Sequence, residues 1–214
     1  MEREFKSKKR YLIAFAIGTF IFLLIILSSY SISYWEFQRV SNLQISTSFD
    51  IFKDKLDYSL FDLGMCSNES FKKVSSDLGF QGRIIDDLER KIGKLDPRVI
   101  ERKKFYTLVE LEHFELVNLL NKQCNLNMQT ILFFYSNDEN SISKSEELGR
   151  LLGTLSGRHP DSLMIYSFDY NLDSDLIGKL KTKYKINEPF TIIINEKDKL
   201  VNPKEITELE SYLK

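Results

Sequence analysis

The stretch Ile131–Leu152, "ILFFYSNDENSISKSEELGRLL", decides how the second half of the chain is read. An apolar, aromatic run of strand length ends in a polar loop, and the loop opens into a segment with helical periodicity. Such a strand–loop–helix junction often carries a nucleophile, a phosphate loop or a pair of thiols. Here it carries Ser136, Asn137, Asp138, Glu139, Asn140, Ser141 and Ser143, and no cysteine.

Downstream the same grammar repeats. "SLMIYSFDY" is strand-like, and "SDLIGKLKTKYKI" is an amphipathic helix through Leu176, Leu180 and Tyr184. "FTIIINE" is a strand of β-branched residues, "EKDK" a turn, "LVN" a short strand, and Pro203 opens a last helix. The order β-α-β-α-β-β-α predicts a parallel pair joined by a right-handed crossover, then an antiparallel hairpin.

That order, with "YKINEPFTIIIN" before the third strand, resembles the thioredoxin-like superfamily over about residues 130–214. The resemblance implies a cis-proline at Pro189, flanked by Glu188 and Phe190, and a groove beside it that pairs an extended segment of a partner protein. It also implies a redox loop at the first junction. The window Asp138–Ser145 has no C-x-x-C, and a serine hydroxyl cannot replace the thiolate that attacks a disulfide. Dithiol chemistry is therefore expected to be lost from this loop. Ser143 or Ser145, with Glu146 or Glu147 nearby, is expected to cap the helix instead.

Upstream, residues 36–125 read as an extracytoplasmic helical region. Ile45, Phe49, Phe52, Leu56 and Leu60 recur at helical spacing, and Asn68 opens a second helix with Phe71, Val74 and Leu78 inward. "GFQG", Gly79–Gly82, predicts a break before a third helix through Ile84, Ile85, Leu88 and Ile92. Asp96-Pro97 is an N-cap followed by proline at the first helical position. The fourth helix then runs from about Arg98 to Gln123, with Val109, Phe114, Val117 and Leu120 inward.

Residues 1–10 carry a basic cluster, Lys6, Lys8, Lys9 and Arg10, and the uncharged run that follows makes residues 11–32 a single-pass membrane anchor. Tyr30, Tyr34 and Trp35 fall where an aromatic belt would lie, and the basic cluster places the N-terminus in the cytoplasm. A cleaved signal peptide is the alternative, although the run is long and no A-x-A site follows. Gly18, Ala14 and Ala16 would allow close helix packing.

Lys and Arg number 30 against 31 Asp and Glu, so bulk charge makes no case for nucleic acid. The two cysteines, Cys66 and Cys124, are read as one disulfide in an extracytoplasmic chain. Closing a loop of about 60 residues would stabilise by about 4 kcal/mol in the chain-entropy model. With so few histidines and cysteines no metal or other cofactor is expected. His113 reads as a structural helix residue, and the acidic loop of Asp169, Asp173 and Asp175 as one that caps the next helix through Asp173 or Ser174. The expectation is an anchored thioredoxin-like binding or scaffold module for a client or complex subunit. Its alternative is a thiol–disulfide oxidoreductase working through Cys66 and Cys124.

Overall fold

The computed structural model describes the backbone of residues 2–61, 68–124 and 126–213. Two units make up the chain, Met1–Leu43 and Gln44–Lys214. The first helix, α1, runs from Glu2 to Phe61 and so belongs to both. Its continuity past residue 36, where a new element was expected, follows from composition: neither glycine nor proline occurs between Gly18 and Gly64.

In the first unit, Lys8–Ile32 is long and apolar enough to cross a membrane, at 25 residues. At roughly 1.5 Å per residue that is about 37 Å of helix. Its apolar side chains, Phe15, Phe20 and Ile25 among them, are exposed. Ser28 and Ser31 donate their hydroxyls to the carbonyls of Leu24 and Leu27, at 2.7 and 2.9 Å. That satisfies both polar groups within the helix, as a hydrocarbon surround requires.

In the second unit, α2 (Asn68–Ile92) and α3 (Pro97–Cys124) form a helical hairpin. Gly93, at φ 97°, ends α2 in the left-handed region, where a side chain would be strained. Asp96 caps α3 as expected: its Oδ1 accepts the Arg98 N–H at 2.9 Å, and Arg98 holds its carboxyl down at about 2. The expected break at Gly79–Gly82 does not occur. Gly82 is a packing residue rather than a breaker. A Cβ there would stand 2.8 Å from Tyr106 Oη, so its absence lets α3 approach. The Tyr106 hydroxyl donates to the Leu78 carbonyl in that space, at 3.3 Å.

The remainder is an α/β domain in the predicted element order: β1 (Gln129–Tyr135), α4 (Ile142–Arg158), β2 (Leu163–Asp169), α5 (Asp175–Lys183), β3 (Thr191–Ile194), β4 (Asp198–Val201) and α6 (Ile206–Glu210). The mixed sheet has strand order β2-β1-β3-β4. β1 and β2 are parallel, in the register Gln129↔Leu163 to Tyr135↔Asp169, and the other two pairings are antiparallel. Alternation along β1 feeds two cores. Leu132 and Phe134 pack with α2, α3 and α5, while Ile131 and Phe133 pack with α4 and α6.

Pro189 differs from the expectation. Among the described residues there is no cis peptide bond. The turn into β3 is made by Phe190 in the left-handed region, at φ 63°. Its N–H donates to the Phe134 carbonyl at 2.6 Å, and its carbonyl accepts the Asn202 N–H at 2.8 Å, so backbone pairing holds the segment.

Gly79 and Gly82 make a paired test. A Cβ at Gly79 meets nothing closer than 3.8 Å, so Gly79→Ala gains helix propensity, about 1 kcal/mol. Gly82→Ala sets the same gain against overpacking of about 1–3 kcal/mol. Thermal unfolding of the full chain in detergent is expected to show the first variant more stable than the wild type and the second less.

Candidate functional site

The site is built on the carboxyl ends of the two parallel strands. Register sets Tyr135 beside Asp169, so the loops that leave β1 and β2 start as neighbours. A crevice at the carboxyl ends of parallel strands is the usual ligand position in open α/β sheets. Here it continues into a cavity of about 730 Å³, walled by α2, α3, α4, the end of β1 and the edge strand β2.

At its centre is Lys103, from α3 and only 5% exposed. Its Nζ makes ion pairs with Asp169 Oδ2 at 2.5 Å and with Glu89 Oε1, from α2, at 2.9 Å. Asn137 extends the cluster: its Nδ2 donates to Asp169 Oδ2 at 2.9 Å, and its Oδ1 accepts from Lys94 Nζ at 3.1 Å. Asp169 Oδ1 accepts the Asn171 N–H at 3.0 Å. Asp169 is thus the counter-ion of a buried lysine, and the cap expected of Ser174 does not form. Ser174 precedes α5 without a side-chain cap, and Asp175 pairs with Lys179 on the surface at 2.6 Å.

A second polar line runs through the same core. His113 is fully buried, with Nε2 at 3.0 Å from Ser75 Oγ and Nδ1 at 2.8 Å from Tyr166 Oη. Burial pushes its imidazole down to about 4, so it is neutral. Ser75 and His113 resemble a nucleophile and its base, but Ser75 lies inside a helix. Its surrounding backbone N–H groups are spent on helical bonds and offer no oxyanion hole. Glu110 is 3% exposed. Its Oε1 accepts the Ser167 N–H at 2.9 Å, capping one outward backbone donor of the edge strand β2. Among the described residues its Oε2 has no hydrogen-bond partner. Burial pushes Glu110 up to about 8 although the Ser167 bond pulls the other way, so the carboxyl is protonated at neutral pH.

The polar junction is closed on itself. Ser136 is buried, and its carbonyl and N–H both engage Ser145 Oγ, at 2.6 and 3.2 Å. Ser145 is therefore a clasp between the end of β1 and the first turn of α4, not the expected cap. The cap position falls to Ser141, whose side chain makes no capping bond, and Ser143 is exposed on the first turn. Asp138 accepts from Asn171 Nδ2 at 3.1 Å, and Glu139 and Asn140 are exposed at the loop tip. Glu188 is exposed and Pro189 half-buried. Lys144 Nζ lies 4.5 Å from the centre of the Phe190 ring, which joins the first turn of α4 to the 188–190 turn. Asn137 turns to the other side, toward Lys103. The predicted loop and proline residues thus divide between two surfaces.

Cys124, the last residue of α3, is half-buried and disulfide-bonded. Cys66, its expected partner, lies outside the described residues. No group of His, Cys, Asp and Glu able to hold a metal ion occurs among the described residues.

Lys103 escaped the sequence reading, yet α3 carries a signal for it. Val99, Lys103, Thr107, Glu110, Phe114 and Val117 are spaced by three or four and all are buried. Polar residues in phase with an apolar helical face mark a buried polar network. Comparison of the chain with protein-family models, with curated proteins and with solved structures gives no match.

Removing the lysine isolates two buried carboxylates. Lys103→Met is expected to cost about 3–5 kcal/mol in urea unfolding, and adding Glu89→Gln and Asp169→Asn to recover most of it. A loss under about 1 kcal/mol would mean the cluster is solvated.

Glu110 and His113 set opposed pH dependences. The His113 folded value is lowered from 6.5 to about 4, so its stability is whole above 6.5 and lost as pH falls toward 4. The Glu110 folded value is raised from 4.5 to about 8, so its contribution is whole below 4.5 and lost as pH rises through 8. Between 4.5 and 6.5 the two slopes cancel. At about 1.4 kcal/mol per unit, Glu110→Gln should gain about 3–5 kcal/mol on the wild type between pH 5 and pH 8. A pH-independent difference would show that Glu110 is ionised in the folded chain.

Proposed function

We propose that this chain is a membrane-anchored, extracytoplasmic thioredoxin-like module that binds a protein client or complex subunit and performs no thiol–disulfide exchange at its strand–helix junction. The strand order, with one parallel and two antiparallel pairings and a helix after the first strand, supports the fold reading. The basic cluster Lys6, Lys8, Lys9 and Arg10, at the N-terminal end of the apolar run, supports a cytoplasmic N-terminus.

One observation carries the functional reading. The junction where a redox pair would sit is filled by Ser136 and Ser145, which satisfy each other, and by Asn137, which is drawn into the Lys103–Asp169 pair. Nothing there can be oxidised or can attack a sulfur, and the groups are held rather than free. The surface left for a partner lies over Asn140, Lys144 and the turn Glu188–Phe190. There an exposed loop tip meets an aromatic ring under a cation. A disulfide between Cys66 and Cys124 belongs to this reading as a staple on the helical region.

The full chain in nanodiscs, supplied with a disulfide-linked reporter peptide and glutathione, is expected to give no exchange above background. A photo-crosslinker at Glu188 or Asn140 is expected to capture a discrete protein in native membranes, and Lys144→Glu to diminish the capture. Exchange that disappears in Cys124→Ala would instead establish the oxidoreductase reading.

A further inference from the structure

The sheet has two edges, β4 and β2, and they are built differently. β4 is four residues long and carries Asp198 and Lys199. Shortness and charge keep an edge strand from pairing with other chains. β2 is seven residues long, and from Leu163 to Phe168 it holds no charge, proline or glycine. Its composition is that of an inner strand.

Parity fixes which of its backbone groups face outward. The Ser162 carbonyl accepts from the Gln129 N–H and the Tyr170 N–H donates to the Tyr135 carbonyl, so even-numbered residues turn their backbone to β1. Leu163, Ile165 and Ser167 turn theirs the other way, and all three line the cavity of about 730 Å³. Leu163 donates to the His159 carbonyl at 3.1 Å and Ser167 to Glu110 at 2.9 Å. The Ile165 N–H and the carbonyls of Ile165 and Ser167 remain for an incoming strand. α2 and α3 pack on one face of the sheet and α4 on the other. α4 borders the cavity with Gly149, Gly153 and Ser156. A Cβ at either glycine would meet nothing within 4 Å, so no contact inside the chain accounts for two helix-disfavouring residues there. Small residues on that wall let a further backbone lie about 4.8 Å from β2, the spacing of paired strands.

The charges on the walls select its chemistry. Glu89 and Asp169 are matched by Lys103, and Asp86 by Arg90 at 2.8 Å. Two cations are left on α2 and the turn after it: Arg83, over the Phe80 ring, and Lys94, which donates to the neutral Asn137. α4 supplies Glu146 to the opposite wall. Side chains of an added strand alternate between the two walls. Acids at every second position can therefore all face Arg83 and Lys94, with uncharged residues between them toward the glycines of α4. We propose that the β2 edge takes an extended acidic segment of a partner protein as a fifth strand, paired through its backbone. This surface is separate from the one over Phe190, so either assignment can fail alone.

The probe is fluorescein-labelled acetyl-(Val-Glu)3-amide, titrated by anisotropy into the full chain in nanodiscs of zwitterionic lipid, against empty nanodiscs. Its matches are (Val-Lys)3 and two (Val-Glu)3 analogues, N-methylated at the valines or at the glutamates. Saturable binding that weakens with salt is expected, with (Val-Lys)3 at least tenfold weaker. One methylated analogue should also bind at least tenfold more weakly and the other like the parent, because only one edge of the peptide meets β2. Ile165→Pro removes the outward donor at a place where an edge strand tolerates proline, and Gly153→Leu fills the open wall. Each should weaken binding at least tenfold. Absence of saturable binding, equal affinity for (Val-Lys)3, or parental affinity of both methylated analogues would each overturn the proposal. A photo-crosslinker at Ser167 that joins two copies of this chain without peptide would overturn it in favour of a dimer. The wild-type titrations decide it even if a variant does not fold.

Discussion

A lysine ammonium held away from water between two carboxylates is the constraint on which the second unit depends. Lys103 comes from α3, Glu89 from α2 and Asp169 from the end of β2, so one cluster joins the helical hairpin to the sheet. Through Asn137 it reaches the loop after β1 as well. Three charges out of water are costly, and their mutual attraction offsets that cost only if the geometry is kept. Keeping it requires α2, α3 and both parallel strands to stay in register. The cluster therefore acts less as a source of net stability than as a specification of how the hairpin docks.

Docking in this position has consequences for the sheet. β2 is an edge strand, and an open edge invites pairing with another chain. The hairpin covers it, and Glu110 occupies one of its outward donors at Ser167. Cover is incomplete, since helices packed on the side of a strand leave space that a further strand would have filled. The cavity lies in that space, with Gly82 keeping α2 near Tyr106 on one wall and β2 forming another. Burial in the core between the hairpin and the sheet keeps Glu110 protonated and His113 neutral. The same desolvation thus acts in opposite directions on an acid and a base.

The loop after β1 illustrates what a motif's absence means physically. Without thiols, the junction is not left as an idle copy of a reactive one. Ser145 bonds both backbone groups of Ser136, and Asn137 bridges Asp169 and Lys94. Small polar residues at a strand–helix junction can tie the two elements together because their hydroxyls and amides reach backbone groups at short range. The residues that looked like a degraded site are the fasteners of the network beside it. Glu139, Asn140 and Ser143 stay exposed beside it, as does Glu188, while Pro189 and Phe190 are half-buried.

Much of the architecture was legible in the chain. Periodicity alone orders the α/β elements, the charge-free run marks the segment able to span a membrane, and Asp96-Pro97 places the start of α3 because cap chemistry is local. The errors arose where local chemistry is ambiguous. Gly79 and Gly82 read as a break because glycine disfavours helix, yet a tertiary neighbour, Tyr106, decided that Gly82 stays within one. Pro189 read as a special peptide bond by resemblance, yet backbone pairing at Phe190 made the turn. The sequence by itself determined which segments are helices and strands and which faces are apolar, since those follow from side-chain spacing. Only the tertiary structure decided that Lys103, Glu89 and Asp169 meet and that Glu110 is buried against the Ser167 N–H. Such meetings depend on distances between residues remote in the chain, and no local pattern encodes them.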